Sequence, residues 1–483
     1  MTEILAILLC LALLMYFAFR GVTLLLLAPV MALLAVALSG ALPVLGAYTQ
    51  VFMAATGRFI VDFFPLFLLG AVFGKLMDDS GCAGAIAKGV ISRLGARRAI
   101  LAVVLCCAVL TYGGVSLFVV AFAIFPIAAS LFRDAGIPKR LIPGTIALGA
   151  FTFTMSALPG SPAIQNAIPM PFFGTTSFAA PGLGIVAGAI MLVLGTAWLT
   201  RRSAWAAAAG EGYGTHSDAL PPVDTNLREQ AQGEGFDIVE IEPQQPARAL
   251  PPLALAIAPV ALVVAVNLAF LSLVVPRLDT GFLALPLFGE TRIEAVRGLW
   301  AVIVALTAAI LFLIATNWRR LRDLRASLNA GADASVLPIF NTASLVGFGA
   351  IVAALPAFEA ISAAMMDLGG GNPFVSVAVS VTALSALTGS ASGGMSIALD
   401  ALGDTFVALA AGTGTSLEAM HRVTAVASGA LDALPHNGAV ITVLAISRLG
   451  HKESYLDIFA VAVIVPMIAL IVLIALASVF GGF

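Results

Sequence analysis

The chain has 483 residues, 60% hydrophobic and 10% charged, with a mean hydropathy of +1.06 and a formal net charge of −2. Soluble domains carry about 25% charged residues, so this composition excludes a water-soluble globular protein and makes lipid the solvent. The near-neutral charge says nothing about partners, no nucleic-acid partner is expected, and the four cysteines (Cys10, Cys82, Cys106, Cys107) have neither CxxC nor zinc spacing, so they read as small buried hydrophobes.

A spanning helix needs about 20 apolar residues. Residues 4–19 are apolar, and Thr2-Glu3 before them gives no positive n-region, which predicts a retained transmembrane helix over 3–19 rather than a signal peptide. Further spans are predicted over 22–45 and 58–77, followed by an amphipathic interfacial stretch at 79–97. Residues 99–132 are too long for one ordinary helix. They are interrupted at Thr111-Tyr112-Gly113-Gly114-Val115-Ser116, which predicts a re-entrant hairpin.

A broken helix over 141–173 and a span over 180–200 complete a first repeat, residues 1–202. Residues 203–248 are polar and acidic and read as a cytoplasmic linker. The order then recurs in a second repeat, 249–483. Spans are predicted over 251–275, 298–316 and 335–366. A second interrupted segment over 374–411 breaks at 388–396, a second broken helix covers 419–446, and a last span covers 455–480. The expected fold is therefore an all-α integral membrane protein with two inverted repeats, each of three spans, a hairpin, a broken helix and a final span.

Two copies of one short stretch mark the broken helices: Ala157-Leu158-Pro159-Gly160-Ser161-Pro162-Ala163-Ile164 and Ala433-Leu434-Pro435-His436-Asn437-Gly438-Ala439-Val440. Proline removes a backbone donor and clashes with the preceding turn, so each copy should snap its helix. Inside a bilayer such backbone survives only where protein or a watery cavity covers it, and paired breaks point to a transporter's binding site.

Charge supports the inverted arrangement. With an external N-terminus and both hairpins re-entrant, 19 of the 24 Lys and Arg fall on the cytoplasmic side. Five (Arg58, Arg277, Arg292, Arg297, Arg422) fall outside.

The breaks suggest a small anion. Gly113, Gly114, Gly160, Gly389, Gly393, Gly394 and Gly438 let backbone approach a ligand. Thr111, Ser116, Ser161, Gln165, Asn166, Thr388, Ser390, Ser392, Ser396, Asn437 and Thr442 supply hydroxyls and amides. Taken singly, any Ser or Thr here would bond its own helix backbone; clustering at mirrored breaks favours a site. No Lys or Arg lies within a break, which favours a small hydroxymonocarboxylate over a bulky polyanion. Asp432 and His436, four residues apart around Leu434-Pro435, are the candidates for proton coupling.

No GxSxG elbow, HExxH motif or second catalytic histidine in the core supports an enzyme, and no P-loop supports primary pumping. No cofactor or metal is expected. A sodium-coupled carboxylate carrier is the alternative, because free carbonyls at hairpin tips also suit Na⁺.

Several segments resemble the gluconate permease family of proton symporters, within the ion transporter superfamily. They are Gly113 through Val120, Gly149 through Pro162, Gln165-Asn166 with Pro169 through Thr176, and Ala433 through Gly438. The resemblance runs over nearly the whole chain outside the linker. It implies uptake of gluconate or a related hydroxy acid with protons, across the cell (inner) membrane, by a homodimeric elevator-type transporter embedded in lipid.

Overall fold

The computed structural model describes residues 2–20, 22–214 and 250–483. Every regular element among them is a helix. Seven are long and apolar enough to cross a membrane: Val44–Asp79, Pro181–Ala208, Leu253–Arg277, Ile293–Asn317, Leu324–Ala354, Ala391–Thr413 and His451–Phe480.

The two halves run through the same sequence of elements. The first has Thr2–Phe19, Leu24–Ser39 and Val44–Asp79, then a short amphipathic helix, Cys82–Leu94. A hairpin of Ala99–Tyr112 and Leu117–Asp134 follows, then the fragments Ile142–Ala150, Phe153–Ser156, Ile164–Ala167 and Pro169–Phe173 of a broken helix, and last Pro181–Ala208. The second half has Leu253–Arg277, Ile293–Asn317 and Leu324–Ala354, the short helix Ala357–Leu368, and a hairpin of Pro373–Thr388 and Ala391–Thr413. A broken helix of Leu417–Ser428 and Gly438–Ser447 leads to His451–Phe480.

Some expected boundaries move: the span read as 58–77 begins at Val44, and the one read from 335 begins at Leu324. The span read as 335–366 is two elements: a longer helix that ends at Ala354 and the separate Ala357–Leu368. Leu355-Pro356 explains the stop, because the residue before a proline is driven out of the helical region and Leu355 is extended (φ −81°, ψ 139°). The correction tightens the repeat, since Ala357–Leu368 is the counterpart of Cys82–Leu94.

Glycines show that the halves are inverted. Leu324–Ala354 crosses Val44–Asp79 with Gly331 against Val72 and Gly347 against Thr56 and Phe52. As one chain ascends the other descends, so the equivalent third helices are antiparallel. The final helices behave alike: Gly182 near the start of one meets Phe483 beyond the end of the other, and Trp198 and Arg202 reach Asp457 (3.0 and 2.9 Å).

Two apolar cores result. One joins Thr2–Phe19, Leu24–Ser39 and the start of Val44–Asp79 to the later part of Leu324–Ala354; the other holds the hairpins and broken helices together with the remaining long helices. The outer face of the long helices stays apolar and exposed, with Leu45 78% and Val61 77% accessible, as lipid-facing side chains should be.

The expected linker begins late. Helix Pro181–Ala208 continues past Arg201-Arg202, and Glu211 then returns to accept two bonds from Arg140 (2.7 and 2.9 Å). The remainder of the 203–248 reading, from 215, lies outside the described residues.

Candidate functional site

Each hairpin tip is fastened to the break of its own half. At the first tip the Tyr112 hydroxyl donates to the Pro159 carbonyl (2.7 Å), and Gly114, at φ +96°, leaves room for Pro162. At the second tip Gly389 (φ +63°) ends one arm and Ser390 caps the next, accepting from Gly393 N–H (3.1 Å). The Asn437 amide donates to the Gly389 carbonyl (2.8 Å), while its oxygen caps Gly438–Ser447 by accepting from Val440 N–H (3.0 Å). The third helix of each half packs on these turns: Gly74 lies against Val115 and Ser116, and Leu345 against Gly393.

The halves then meet. Ile164–Ala167 packs on Ala391–Thr413 and Leu417–Ser428, Gly438–Ser447 packs on Leu117–Asp134, and Gly429 sits beside the Ser156 side chain. All four interruptions thus belong to one interior cluster. The two surface cavities, about 520 Å³ around Asp367 and about 450 Å³ around Arg140, lie away from it.

The expected residues divide into those with unspent hydrogen-bonding capacity and those without it. Thr111 Oγ1, Ser396 Oγ, Thr442 Oγ1 and His436 Nε2 are buried and have no partner, as is Ser385 Oγ, which the sequence reading missed. Buried polar atoms are otherwise almost always bonded, so each such atom calls for an explanation. Gln165 in the first break and Ser116 at the first tip also make no side-chain bond. Thr388, by contrast, bonds its own helix at Leu384 O (2.8 Å), Ser161 accepts from Ala163 N–H (3.2 Å), and Ser392 lies 3.5 Å from Ser390. Gly160 (φ +80°) closes on the Phe178 ring, and Gly394 admits the Ser385 backbone.

Asp432 and His436 share the second break, but no hydrogen bond or ion pair joins them. The last helix instead grips the carbonyls between them: Tyr455 donates to Ala433 O (3.2 Å), and His451 Nε2 bonds Pro435 O (2.9 Å). Partly buried Asp432 has no ion pair among the described residues.

Two sequence expectations are overturned nearby. Arg422, counted among the external charges at the start of the broken helix 419–446, is fully buried within Leu417–Ser428. Beside it lies His421, a fully buried core histidine that the sequence reading did not find. The hydrophobic surroundings of Ala419 to Val426 are the signal that could have shown both.

Arg422 donates to Ala179 O from Nε (3.1 Å) and Nη2 (2.8 Å), to Ser177 O (3.2 Å), to Ser156 O (3.3 Å) and to the Asn166 side-chain oxygen (3.0 Å). All five guanidinium N–H groups are thereby used.

Asn166 is equally saturated. Its NH₂ donates to Ser161 O and Ser177 O (both 2.9 Å), and its oxygen also accepts from His421 Nε2 (3.2 Å). His421 Nδ1 lies 2.6 Å from the Thr175 hydroxyl, which can donate to it or accept from it. The expected direct contact of Asn166 with substrate is therefore unsupported: both ends of its amide are occupied by protein, and it braces the first break from behind.

Crossed hairpins and broken helices inside an all-helical, lipid-facing shell define a membrane transporter. The fold is similar to that in the crystal structure of the Alcanivorax borkumensis YdaH transporter (TM-score 0.54, 15% identity, 89% of each chain covered). The chain is 44% identical over 485 residues, 99% of each, to the uncharacterized transporter YxjC of Bacillus subtilis (strain 168), and it belongs to that transporter family. No family model matches the chain. Neither relative's name carries a substrate.

Proposed function

We propose that the chain is a secondary active transporter that carries gluconate or a related small hydroxymonocarboxylate into the cell with protons. The observation that carries this reading is the set of unpartnered buried groups at the interruptions: Thr111, Ser385, Ser396, Thr442 and His436 Nε2. Hydroxyls that can donate or accept, beside free backbone, suit the alternating hydroxyls and single carboxylate of a sugar acid. The resemblance of the break motifs to gluconate permeases supports the same substrate class.

Moving a monoanion inward against 100 mV costs about 2.3 kcal/mol. One accompanying proton cancels that charge, and Asp432 and His436 in the second break are the groups suited to take it. An elevator motion, with the hairpins and broken helices moving against the long helices, belongs to the same reading. A homodimer in the cell (inner) membrane, with the linker 203–248 on the cytoplasmic side, completes the reading.

The test is uptake into proteoliposomes with gluconate, glycerate and 3-hydroxybutyrate in competition, under imposed pH or sodium gradients. Accumulation driven by the pH gradient is expected. Accumulation driven by sodium alone would favour the sodium-coupled carrier, and no uptake of any of the three acids would remove the carboxylate reading.

A further inference from the structure

Arg422 is the largest fully buried side chain among the described residues, and its partners are unusual for an interior guanidinium. Four are backbone contacts, to Ser156, Ser177 and twice to Ala179, and the fifth is the Asn166 amide. None is a carboxylate. Among the described residues Arg422 forms no ion pair, and neighbouring His421, whether neutral or protonated, brings no negative charge to offset it. Arginine does not shed its proton in proteins. This interior therefore holds one permanent positive charge that carbonyl dipoles solvate but do not neutralise.

The protein is built to keep that charge in place. Gly184 passes so close that any side chain there would strike Ala157 O and Arg422 Nε. The charge is also aimed. Arg422 polarises Asn166 from one end, and the other end of the same amide donates to the carbonyl of Ser161, within the first break. Ser156 O, another acceptor of the guanidinium, is the last residue of the helical fragment that leads into that break.

We propose that Arg422 is the fixed counter-charge that makes the cradle select a monocarboxylate over a neutral polyol of the same size. It acts across Asn166 and the backbone of the first break, without touching the substrate, because all its donors are committed. It is thus a positioning and selectivity residue, and the assignment rests on the carboxylate reading above. With Asp432 carrying its proton, one bound carboxylate brings this interior to neutrality; a dianion overshoots it.

The experiment compares purified full-length wild type, R422K and R422Q for binding of gluconate and of sorbitol, in which CH₂OH replaces the carboxylate. R422K keeps the charge and should hold gluconate within about tenfold of wild type. R422Q removes the charge and should lose about 10–100-fold in gluconate affinity, with sorbitol binding unchanged. Both must elute as folded, monodisperse protein.

Where R422Q fails to fold, Ser177→Asp sets a neutralising carboxylate beside the retained guanidinium and should give the same loss. A folded R422Q or S177D with wild-type preference for gluconate over sorbitol overturns the proposal. Wild type that binds none of gluconate, glycerate and 3-hydroxybutyrate overturns the carboxylate reading itself, a distinguishable result.

Discussion

Asn437 gives the most direct test of how a hairpin tip is held to a break. Its side chain does two jobs: it caps Gly438–Ser447 through Val440 N–H and ties down the tip through Gly389 O. Losing a cap costs about 1 kcal/mol, and leaving a buried carbonyl unpaired costs about 1–3 kcal/mol. Asn437→Ala loses both, about 2–4 kcal/mol. Asn437→Ser keeps a capping oxygen but cannot reach Gly389, so it loses only the second term. At tenfold per 1.4 kcal/mol, amide exchange in the tip peptide 388–396 should quicken about 5–150-fold in the serine variant and about fivefold more in alanine. Hydrogen–deuterium exchange on the protein in nanodiscs reads both. Tip exchange at the wild-type rate in both variants would refute the tether, and equal protection of Val440 in alanine and serine variants would refute the cap.

Four further outcomes follow from the same contacts. Asn166→Ala removes four buried hydrogen bonds and strands part of the Arg422 guanidinium, so thermal stability in detergent should fall by at least about 3 kcal/mol; an unchanged melting profile would show that the brace is dispensable. His436→Ala should alter the pH dependence of uptake, and a wild-type profile would take His436 off the proton path. Gly331→Leu puts a side chain onto the Val72 backbone (Cα 2.7 Å from the first added carbon), so monodisperse protein should be lost on extraction, whereas a well-behaved variant would contradict the antiparallel crossing. Glu211, outside the spans, has its pKa lowered below the ordinary 4.5, chiefly by the hydrogen bond from Arg140. Its docking is thus complete above that value and fades as pH falls through the lowered one. The pair is exposed and worth about 0–1 kcal/mol, and limited proteolysis after Ala208 should show E211Q at neutral pH cleaved like wild type in acid.

The architecture was legible because lipid imposes few solutions. Apolar run lengths located the long helices, and Pro159, Pro435 and the glycine pairs marked the interruptions, since no ordinary helix accommodates them. The boundary at Leu355 was obscured by apolar residues on both sides, which hid a two-residue break signalled only by Pro356. The site was less legible. Side chains at a break can face a ligand or the protein behind it, and sequence spacing does not separate Thr111, left unpartnered, from Asn166, fully spent. Arg422 was counted as external because a rule for loop charges treats every arginine as surface; five hydrogen bonds to acceptors of the first half, each more than 240 residues away in sequence, hold it inside.

The repeat is symmetric in backbone but not in charge. The two break motifs are offset by 276 positions, from Ala157 to Ala433. The same offset sets Arg422 opposite Ile146, His421 opposite Thr145, Asp432 opposite Ser156 and His436 opposite Gly160. Arg422, His421, Asp432 and His436 therefore all belong to the second broken helix, and the first half contributes carbonyls, hydroxyls such as those of Thr111 and Tyr112, glycine and the Asn166 amide. In a transporter of inverted repeats the two halves exchange conformations between inward- and outward-facing states, so identical halves would make those states equal in energy. On the proposed reading, a proton taken by Asp432 or His436 acts directly on the second break. On the proposed reading, that asymmetry lets ligand occupancy bias the direction of movement, and it confines charge coupling to residues 421–436.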